Sequence, residues 1–411
     1  MLRCGLLGET LGHSYSPMIH HALGEYDYRL FEVSKEDLDA FLCSDRWDGL
    51  NVTIPYKKAV VPYCVELSEA AAKLQSVNTL VHRPDGTLYG DNTDLFGFLY
   101  MVRRSGIDPA GKKALVLGSG GASVTVKAAL EQLGDDVTVI SRSGPDDYDH
   151  LDRHADAQII VNTTPVGMYP HNGAAAVDLR LFPQCEGVLD IVYNPARTAL
   201  LLQAEELGIP HAGGLSMLVA QAKESAEWFT GGKIDDGVIS TIYSSLWAQM
   251  ENVILIGMPG CGKTTVAEEL SKLTGRKAVD TDSLVEESAG MSVPEIFSQY
   301  GEKRFRELEA QAVRSAAKEK GLIIATGGGA VLDPGNVRAL KGNGRIYYLK
   351  RDLNLLSLNG RPLSKSRETL DKMFKARDPI YSNCADAAIN NDLSPVLTAQ
   401  RIKDELGSSD I

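Results

Sequence analysis

Two glycine-rich turns, far apart in one chain, most strongly constrain how this protein folds. The stretch "LVLGSGGAS" occupies residues 115–123, and "NVILIGMPGCGKTT" occupies residues 252–265. Each turn follows an apolar run of strand length and precedes a helical pattern, which is an arrangement that binds phosphate groups at a helix N-terminus. We therefore expect two nucleotide sites, each built on its own sheet.

The chain length agrees with more than one domain, because 411 residues exceed what a single hydrophobic core usually supports. Short apolar runs alternate with helical patterns from "RCGLLG" at 3–8 to "RIYYLK" at 345–350, which predicts an α/β protein with parallel sheets. The sharpest restart is at Met250, where the strand "NVILIG" follows a helical segment almost directly. We expect one part over residues 1–249 and another over 250–411.

The first part itself divides at "GIDPAGKK", residues 106–113, whose glycines and proline indicate a hinge. The expected arrangement is a substrate lobe of about residues 1–105 and a Rossmann lobe of about residues 106–213. Residues 214–249 form a helical segment that we expect to return to the substrate lobe.

Charge and composition favour small-molecule partners. The formal net charge is -12, which argues against binding nucleic acid through clustered basic residues. No apolar run approaches the roughly 18 residues of a membrane span, and Glu9 interrupts the N-terminus, so we expect a cytoplasmic protein. The six cysteines form no C-x-x-C pair, and His150 and His154 lack the glutamate of a zinc motif. The oligomeric state is not indicated.

The second turn matches the phosphate-loop pattern G-x-x-x-x-G-K-[ST] from Gly257 to Thr264. Its backbone amides would wrap the phosphates, Lys263 would reach the β and γ oxygens, and Thr264 would face Mg²⁺. The candidate nucleotide-binding residues are Gly260, Cys261, Gly262, Lys263, Thr264 and Thr265.

The following strand ends in "VDTDSLVEE", which places Asp280 and Asp282 where ligands gather in parallel sheets. Ser283 and Glu286 have the spacing of a capping box, so we expect both aspartates to be free for ligands. A carboxylate beside the γ-phosphate holds Mg²⁺ or orients an acceptor hydroxyl.

Further residues complete an ordered set: Arg306 in "FRELE", the glycines at 327–329, and Arg377 in "KARDPIY". With the phosphate loop and the aspartates, residues 250 to about 406 resemble shikimate kinase. The resemblance implies Mg²⁺ at Asp280, a catalytic contact from Asp282 to the ring hydroxyls, and ATP as the donor. It also implies carboxylate binding by Arg306 and Arg377, with Glu309 behind Arg306, and a ring contact from Gly328.

In "GRPLSKS", which is similar to the family's lid, Arg361 would reach the transferring phosphoryl group. The preceding segment "NLLSLNG", residues 354–360, lacks the basic residue that the family usually lays over adenine.

The first turn is of the Rossmann type, with Ser123 in place of the third glycine. The next strand, "DVTVIS", ends at Ser141 and Arg142 where an NAD enzyme usually has an acidic residue, so NADP is favoured. Asp146 and Asp147 follow soon after and add no positive charge to this strand end.

Six segments of the first part occur in one order: "HSYSP" (13–17), "NVTIPYK" (51–57), "VNTL" (77–80), "GDNTD" (90–94), "NTTPVGMYP" (162–170) and "LVAQA" (218–222). Residues 1 to about 249 resemble the shikimate dehydrogenases throughout. The resemblance implies that Lys57 and Asp94 form the catalytic pair; reducing a ketone leaves an alkoxide that an ammonium held by a carboxylate can protonate. The implied substrate-binding residues are Ser14, Ser16, Thr53, Asn78, Tyr193 and Gln221. The implied cofactor-binding residues are Glu69, Gly118, Ser119, Gly120, Gly121, Ala122, Ser141, Arg142 and Gly214.

The expected function is therefore a bifunctional enzyme of the shikimate pathway, which reduces 3-dehydroshikimate with NADPH and phosphorylates shikimate with ATP and Mg²⁺. Two alternatives stay open. The chain could be a metabolite-sensing regulator that has lost catalysis, or its first half could act on quinate with NAD. The retained Lys57, Asp94, Lys263, Thr264 and Asp282 disfavour the regulator.

Overall fold

The computed structural model describes residues 1–12, 14–356 and 367–408. The chain divides into two compact units, Met1–Ser244 and Ser245–Ile411. The division lies five residues before the expected restart at Met250 and falls inside the helix Gly237–Met250. Within the described ranges, no helix is long and apolar enough to cross a membrane.

The first unit begins with a six-stranded sheet in the order β2-β1-β3-β5-β6-β4. Its strands are β1 (Arg3–Gly8), β2 (Asp27–Glu32), β3 (Gly49–Val52), β4 (Glu66–Leu67), β5 (Thr79–His82) and β6 (Leu88–Asp91). The predicted parallel pairing holds for β1 with β2 and β3 and for β4 with β6, but β5 runs antiparallel to both β3 and β6. The reason is local: the short connection "RPDGT" between β5 and β6 permits a hairpin, whereas a parallel pair needs a long crossover.

The second sheet of this unit is entirely parallel, in the order β11-β10-β9-β7-β8. Its strands are β7 (Lys113–Leu117), β8 (Asp136–Ile140), β9 (Ile159–Asn162), β10 (Gly187–Asp190) and β11 (His211–Gly213). Both faces are covered, so the central strands β7, β9 and β10 are almost wholly buried. The carboxyl ends of β7, β8 and β9 meet at one edge, where the first glycine-rich turn lies.

The helices of the first unit are α1 (Ser16–Leu23), α2 (Leu38–Leu42), α3 (Glu69–Leu74), α4 (Asp94–Ser105), α5 (Gly121–Leu133), α6 (Ala199–Leu207), α7 (Leu215–Thr230) and α8 (Gly237–Met250). Helix α7 packs against α1, α4, β3 and β5, so the chain returns to the first sheet after completing the second. Its contact with α4 is extensive. This packing brings α7 side chains to the edge of the first sheet.

The second unit is built on a parallel five-stranded sheet in the order β13-β14-β12-β15-β16. Its strands are β12 (Asn252–Ile256), β13 (Ala278–Asp280), β14 (Ile323–Ala325), β15 (Gly344–Lys350) and β16 (Ala387–Asn390). Its further helices are α9 (Lys263–Thr274), α10 (Thr281–Ala289), α11 (Val293–Lys318), α12 (Pro334–Asn343), α13 (Arg367–Cys384) and α14 (Pro395–Ser408). Central β12 is fully buried and leads directly into the phosphate loop.

Candidate functional site

Lys57 and Asp94 form a close ion pair at the edge of the first sheet. Lys57 Nζ lies 2.5 Å from Asp94 Oδ2, and the two side chains are 20% and 13% exposed. Asp94 is the first residue of α4, and the Lys57 carbonyl accepts from Val77 N, which fixes the lysine beside the start of β5. The pair is therefore held in place by the backbone while both groups stay accessible to a ligand.

Asn78 and Gln221 are buried next to this pair. Asn78 Nδ2 donates to Thr93 Oγ1 at 3.0 Å and to Gln221 Oε1 at 3.4 Å, and Asn78 Oδ1 accepts from Thr93 N at 2.7 Å. Because Thr93 precedes Asp94, the same turn positions the amides and the carboxylate. Behind them, Ser225 of α7 hydrogen-bonds to Thr93 and accepts from Asn51, so the network is anchored in the core.

The remaining substrate candidates lie on neighbouring loops. Ser16 is buried at the start of α1, and its backbone N–H donates to Ser14 Oγ at 3.2 Å. Thr53 follows β3, and its N–H donates to the Leu7 carbonyl of β1. The rings of Tyr15 and Tyr193 are 5.7 Å apart, which brings the Tyr193 loop beside the serines.

The first glycine-rich turn leaves open space at the start of α5. Gly118 has φ +104°, and a Cβ there would lie 2.7 Å from Thr164 Cγ2, so only glycine fits. Gly120 and Gly121 would meet nothing within 4 Å if they carried a Cβ. The exposed Ser119 and the half-buried Ala122 flank them. A phosphate could approach the backbone amides at this helix N-terminus, so the turn fits a dinucleotide.

Arg142 is exposed just after β8, while the adjacent Ser141 is buried. The two aspartates that follow are engaged by histidines: Asp146 contacts His154 at 3.0 Å, and Asp147 contacts His150 at 2.7 Å. These contacts give both histidines a structural role. Arg142 is left as the cation at this strand end.

The two remaining cofactor candidates, Glu69 and Gly214, lie outside the glycine-rich turn, at the starts of two other helices. Glu69 is exposed at the start of α3, a helix that contacts α5. Gly214 caps α7, and a Cβ there would lie 2.1 Å from the Ile191 carbonyl oxygen, so a side chain is excluded.

The phosphate loop of the second unit depends on glycine backbone conformations. Gly257, Gly260 and Gly262 have φ values of +143°, +87° and +95°. Lys263 is buried, and its Nζ donates to the carbonyls of Gly257 at 2.9 Å and Met258 at 3.1 Å. The ammonium is thus held across the loop, next to where phosphate oxygens would lie.

Thr264 and Asp280 form a hydroxyl–carboxylate pair, with Thr264 Oγ1 donating to Asp280 Oδ2 at 2.7 Å. Such a pair fits Mg²⁺, which takes few protein ligands and keeps waters and substrate phosphates. Among the described residues, no group of three or more His, Cys, Asp or Glu side chains could hold a metal.

The expected capping box of Ser283 and Glu286 is wrong. Helix α10 begins at Thr281, and Asp280 is its N-cap, accepting from Asp282 N at 2.9 Å. Glu286 instead accepts from Val293 N. The box fails because the helix starts three residues earlier than the pattern suggested, so Asp280 uses one oxygen as a cap and the other toward Thr264.

Asp282 points into the site with an unpartnered oxygen. Its Oδ1 is buried and has no hydrogen-bond partner, and a Cβ on Gly327 would lie 2.6 Å from it. Burial, followed by the charges of Asp280 and Glu309, raises the pKa of Asp282 to about 6. A carboxyl group that is both buried and unsatisfied is suited to receive a ligand hydroxyl.

Two guanidinium groups surround the glycines that follow β14. Arg306 donates to Glu309 at 2.7 Å and to Glu302 at 3.0 Å, and a Cβ on Gly329 would collide with its guanidinium. Arg377 Nη1 donates to the Gly328 carbonyl at 3.1 Å. These glycines therefore allow close approach of both cations.

One cavity of about 640 Å³ brings these groups together. Its lining includes the predicted residues Gly260, Gly262, Lys263, Thr264, Thr265, Asp280, Asp282, Arg306, Gly328 and Arg377. Cys261 does not line the cavity and has a buried side chain, and Arg361 lies outside the described residues.

The sequence reasoning missed several residues of this site. Phe297 and Phe305 form an apolar wall, and Arg351 lines the cavity after β15. Tyr381 donates to the Gly328 carbonyl at 2.5 Å. The spacing of four between Arg377 and Tyr381 places both on one face of α13 and was the available signal. Phe297 and Phe305 could not be found that way, because α11 is broken at Gly301.

Comparison with known families assigns a separate match to each part of the chain. The shikimate dehydrogenase substrate-binding domain matches residues 6–80, and shikimate kinase matches residues 259–407. The shikimate dehydrogenase (NADP(+)) of Clostridium perfringens strain SM101 is 34% identical over 264 residues, covering 59% of this chain and 97% of the relative. The corresponding enzyme of Oleidesulfovibrio alaskensis is 39% identical over 256 residues, covering 56% and 90%.

Solved structures of dehydrogenases cover a similar share of this chain. A chorismate mutase/shikimate 5-dehydrogenase fusion from Clostridium acetobutylicum has a TM-score of 0.56 at 36% identity, covering 59% of this chain and 96% of that one. Shikimate 5-dehydrogenase of Thermus thermophilus, in complex with NADP(H) and shikimate, gives 0.55 at 31%, covering 60% and 99%. Quinate dehydrogenase of Corynebacterium glutamicum, in complex with NAD, gives 0.53 at 29%, covering 59% and 97%.

These matches agree with the site geometry in both units. The chain belongs to the shikimate dehydrogenase family and carries a shikimate kinase domain in its second part, which makes it a bifunctional enzyme of the shikimate pathway.

Proposed function

We propose that the first unit reduces 3-dehydroshikimate to shikimate with NADPH, and that the second transfers the γ-phosphoryl group of ATP to the shikimate 3-hydroxyl. The observation that carries this proposal is the cavity of the second unit, which joins a phosphate loop to Asp282 and to two guanidinium groups. Such a cavity suits an anionic polyol as phosphoryl acceptor. The first unit would supply that acceptor.

In the first unit, Lys57 donates a proton to the carbonyl oxygen of the substrate, and Asp94 holds the ammonium in place. The 2.5 Å contact between them supports this assignment. Asn78 and Gln221 orient the ring hydroxyls, because their amides are hydrogen-bonded to each other and to Thr93, which directly precedes Asp94. The hydroxyls of Ser14 and Ser16 bind the substrate carboxylate, with Thr53 and Tyr193 completing the enclosure.

The cofactor of the first unit is NADPH, which supplies the hydride when bound. Its pyrophosphate would lie on the amides of residues 118–122, where Gly120 and Gly121 leave space. Arg142 would hold the 2′-phosphate beside Ser141. Glu69 and Gly214 would flank the nicotinamide.

In the second unit, ATP supplies the phosphoryl group, and Mg²⁺ offsets phosphate charge when bound. The amides of Gly260 to Thr265 surround the phosphates, and Lys263 exchanges its loop carbonyls for phosphate oxygens. Thr264 and Asp280 would hold the metal. Asp282 accepts the proton of the attacking hydroxyl.

The acceptor is held by the guanidinium groups of the same cavity. Arg306 and Arg377 bind its carboxylate, and Glu309 keeps Arg306 in orientation through their 2.7 Å contact. Gly328 borders the ring, and we also propose that Arg361 contacts the transferring group. The partners of the chain are therefore small molecules.

A coupled assay tests the whole proposal. Purified protein is given 3-dehydroshikimate, NADPH and ATP with Mg²⁺, and shikimate 3-phosphate is measured by mass spectrometry. We expect both NADPH consumption and product formation. Binding of shikimate without turnover in either step would indicate a regulator instead.

A second arm separates the two dehydrogenase alternatives. The kcat/KM of the oxidation reaction is compared for shikimate and quinate, each with NADP and NAD. Exposed Arg142, together with the engagement of Asp146 and Asp147 by histidines, predicts a preference for NADP. Faster quinate oxidation with NAD would overturn the assignment of the first unit and leave that of the second intact.

A further inference from the structure

The donor side of the kinase cavity contains a cation whose role the proposed mechanism leaves open. Arg351 follows β15 and lines the cavity together with Gly260, Gly262 and Thr265. A Cβ on Gly262 would lie 3.4 Å from Arg351 Nη1, so the guanidinium borders the phosphate loop itself. Arg351 is only partly exposed, and its Nε is buried without a hydrogen-bond partner.

The strand order shows which end of the nucleotide this cation faces. Asp280 ends β13, Asp282 lies just beyond it, and the glycines at 327–329 follow β14, so these acceptor and metal groups lie on one side of β12. Arg351 follows β15, on the other side. Because the γ-phosphate must face the acceptor, the α-phosphate and the nucleoside extend toward β15.

The phosphate loop beside Arg351 is supported by buried hydrogen bonds from the end of β16. Asn391 follows β16 and donates to the Cys261 carbonyl at 2.6 Å, while Thr398 donates to Asn391 Oδ1 at 2.7 Å. This buried support fixes the loop backbone beside the guanidinium. The hydrogen bond from Asp352 N, at 2.7 Å, and the nearby charge of Arg351 both lower the pKa of Asp392, but within the described part of the chain the two side chains form no ion pair.

We propose that Arg351 binds the α-phosphate of the donor nucleotide, on the side of the phosphate loop opposite Asp280 and Asp282. This inference rests on the proposed kinase function. A guanidinium group presents several N–H donors in a fixed plane, which suits phosphate oxygens. Residues 354–360, "NLLSLNG", contain no Lys or Arg, so Arg351 supplies a positive charge from the strand end that precedes them.

Nucleotide binding without turnover tests the proposal. ADP, AMP and adenosine compete with a fluorescent ADP analogue in the presence of Mg²⁺, on the full chain and on Arg351→Gln. We expect Arg351→Gln to weaken ADP and AMP alike, by roughly ten- to a hundredfold, since hydrogen bonds to charged groups are of that size. Adenosine binding should be unchanged.

Two further variants act as controls. Lys350→Gln removes the same charge one residue earlier, where the exposed Nζ lies over the Tyr348 ring and does not line the cavity, and it should leave all three affinities unchanged. Arg351→Lys keeps the charge without the fork and should fall between the wild type and Arg351→Gln.

The other outcomes are equally informative. An equal loss of adenosine binding would assign Arg351 to the base or ribose, and a loss confined to ADP would assign it to the β-phosphate. Unchanged ADP binding would remove any role in phosphate binding. If the wild type binds no ADP, the kinase function itself fails, whereas intact wild-type binding with an unaffected variant rejects only the role of Arg351.

Discussion

The ammonium group of Lys57 is placed for proton transfer by its contact with Asp94. We expect Lys57→Ala to lower the dehydrogenase kcat by about 10²–10⁴-fold, the usual contribution of general acid–base catalysis, and to leave kinase turnover unchanged. Steady-state kinetics of both reactions on one preparation measures this. Lys58→Ala, which removes an exposed neighbouring ammonium, is the matched control and should retain full activity. A Lys57→Ala variant that keeps more than about a tenth of the wild-type rate would place the proton donor elsewhere.

We expect the Asp282 carboxylate to support phosphorylation while lowering the stability of the second unit. Its pKa is raised to about 6, chiefly by burial, so ionising it costs the folded state free energy. The cost is absent below the unfolded pKa of about 4, develops as the pH rises toward 6, and reaches about 3 kcal/mol above that. We therefore expect Asp282→Asn to raise the Tm of the second unit at pH 8 while abolishing phosphorylation.

Calorimetry at two pH values, together with kinase assays, tests both the stability effect and the activity effect of Asp282→Asn. The Tm difference between Asp282→Asn and the wild type should disappear near pH 4, where the carboxyl group is neutral in both states. Glu307→Gln, which removes an exposed carboxylate paired with Arg304 on α11, serves as the control and should alter neither property. A variant that is destabilised at pH 8, or that still phosphorylates shikimate, would contradict the assignment.

Two glycines of the turn from β7 into α5 have different roles. Gly118 is needed for the backbone conformation, and Gly121 leaves space for a ligand. Gly118→Ala forces a side chain into a positive φ and against Thr164, so the free energy of unfolding should fall. Gly121→Ala projects a methyl group into open space, so stability should be kept. Because that space is where we place the pyrophosphate, NADPH binding should weaken.

Thermal unfolding and NADPH fluorescence titration on the two variants distinguish these effects. Gly134→Ala, in the left-handed cap of α5 with nothing near its Cβ, controls for strain without a cofactor contact. It should lose stability and keep NADPH affinity. If Gly121→Ala bound NADPH as tightly as the wild type, the pyrophosphate would have to lie elsewhere.

The sequence predicted elements wherever the signal was local and apolar. The buried strands β7, β9, β12 and β15 were all found from short apolar runs. Strand β2 was missed because it lies at the sheet edge and has no fully buried position, so its sequence "DYRLFE" carries no apolar run. The antiparallel pairing of β5 with β6 follows from the short connection between them, whereas the pairing of β5 with β3 joins strands far apart in sequence, which hydrophobic periodicity does not encode.

The site of the second unit was likewise predictable from the sequence only in part. The glycines and charged residues of the phosphate loop were visible because each type has a required chemistry at a required spacing. Arg351 and Asn391 were not visible, since their place at the loop follows only from the order in which β15 and β16 join the sheet. The capping role of Asp280 was hidden by an alternative box three residues later.

Each unit of the chain has a hydrophobic core of its own. In the second, apolar residues from β12, β14 and β15 pack with α9 and α14, and in the first, separate clusters underlie the two sheets. Domains that bury their own cores can fold alone. We therefore propose that cleavage before Met250 gives two active proteins, residues 1–249 and 250–411.

The structure refines where the kinase fragment should begin. The Arg276 guanidinium donates to the carbonyls of Ala248 and Glu251, and Gly321 N donates to the Met250 carbonyl at 3.1 Å. A fragment that starts at residue 250 lacks Ala248 and leaves a half-buried cation with one acceptor fewer. Hydrogen bonds to charged groups contribute about 1.5–3 kcal/mol, so a fragment of residues 245–411 should be more stable by up to that amount.

Urea unfolding of the two kinase fragments, with kcat/KM for shikimate and ATP, measures this difference. Both fragments should phosphorylate shikimate at the rate of the full chain, because the cavity lies entirely within residues 259–377. In the full chain, Arg276→Gln removes the donor instead of the acceptor and should reduce the stability of the second unit by a similar amount. Equal urea midpoints for the two fragments would show that the Ala248 carbonyl contributes nothing, and aggregation or inactivity of the 245–411 fragment would show that the second unit depends on the first.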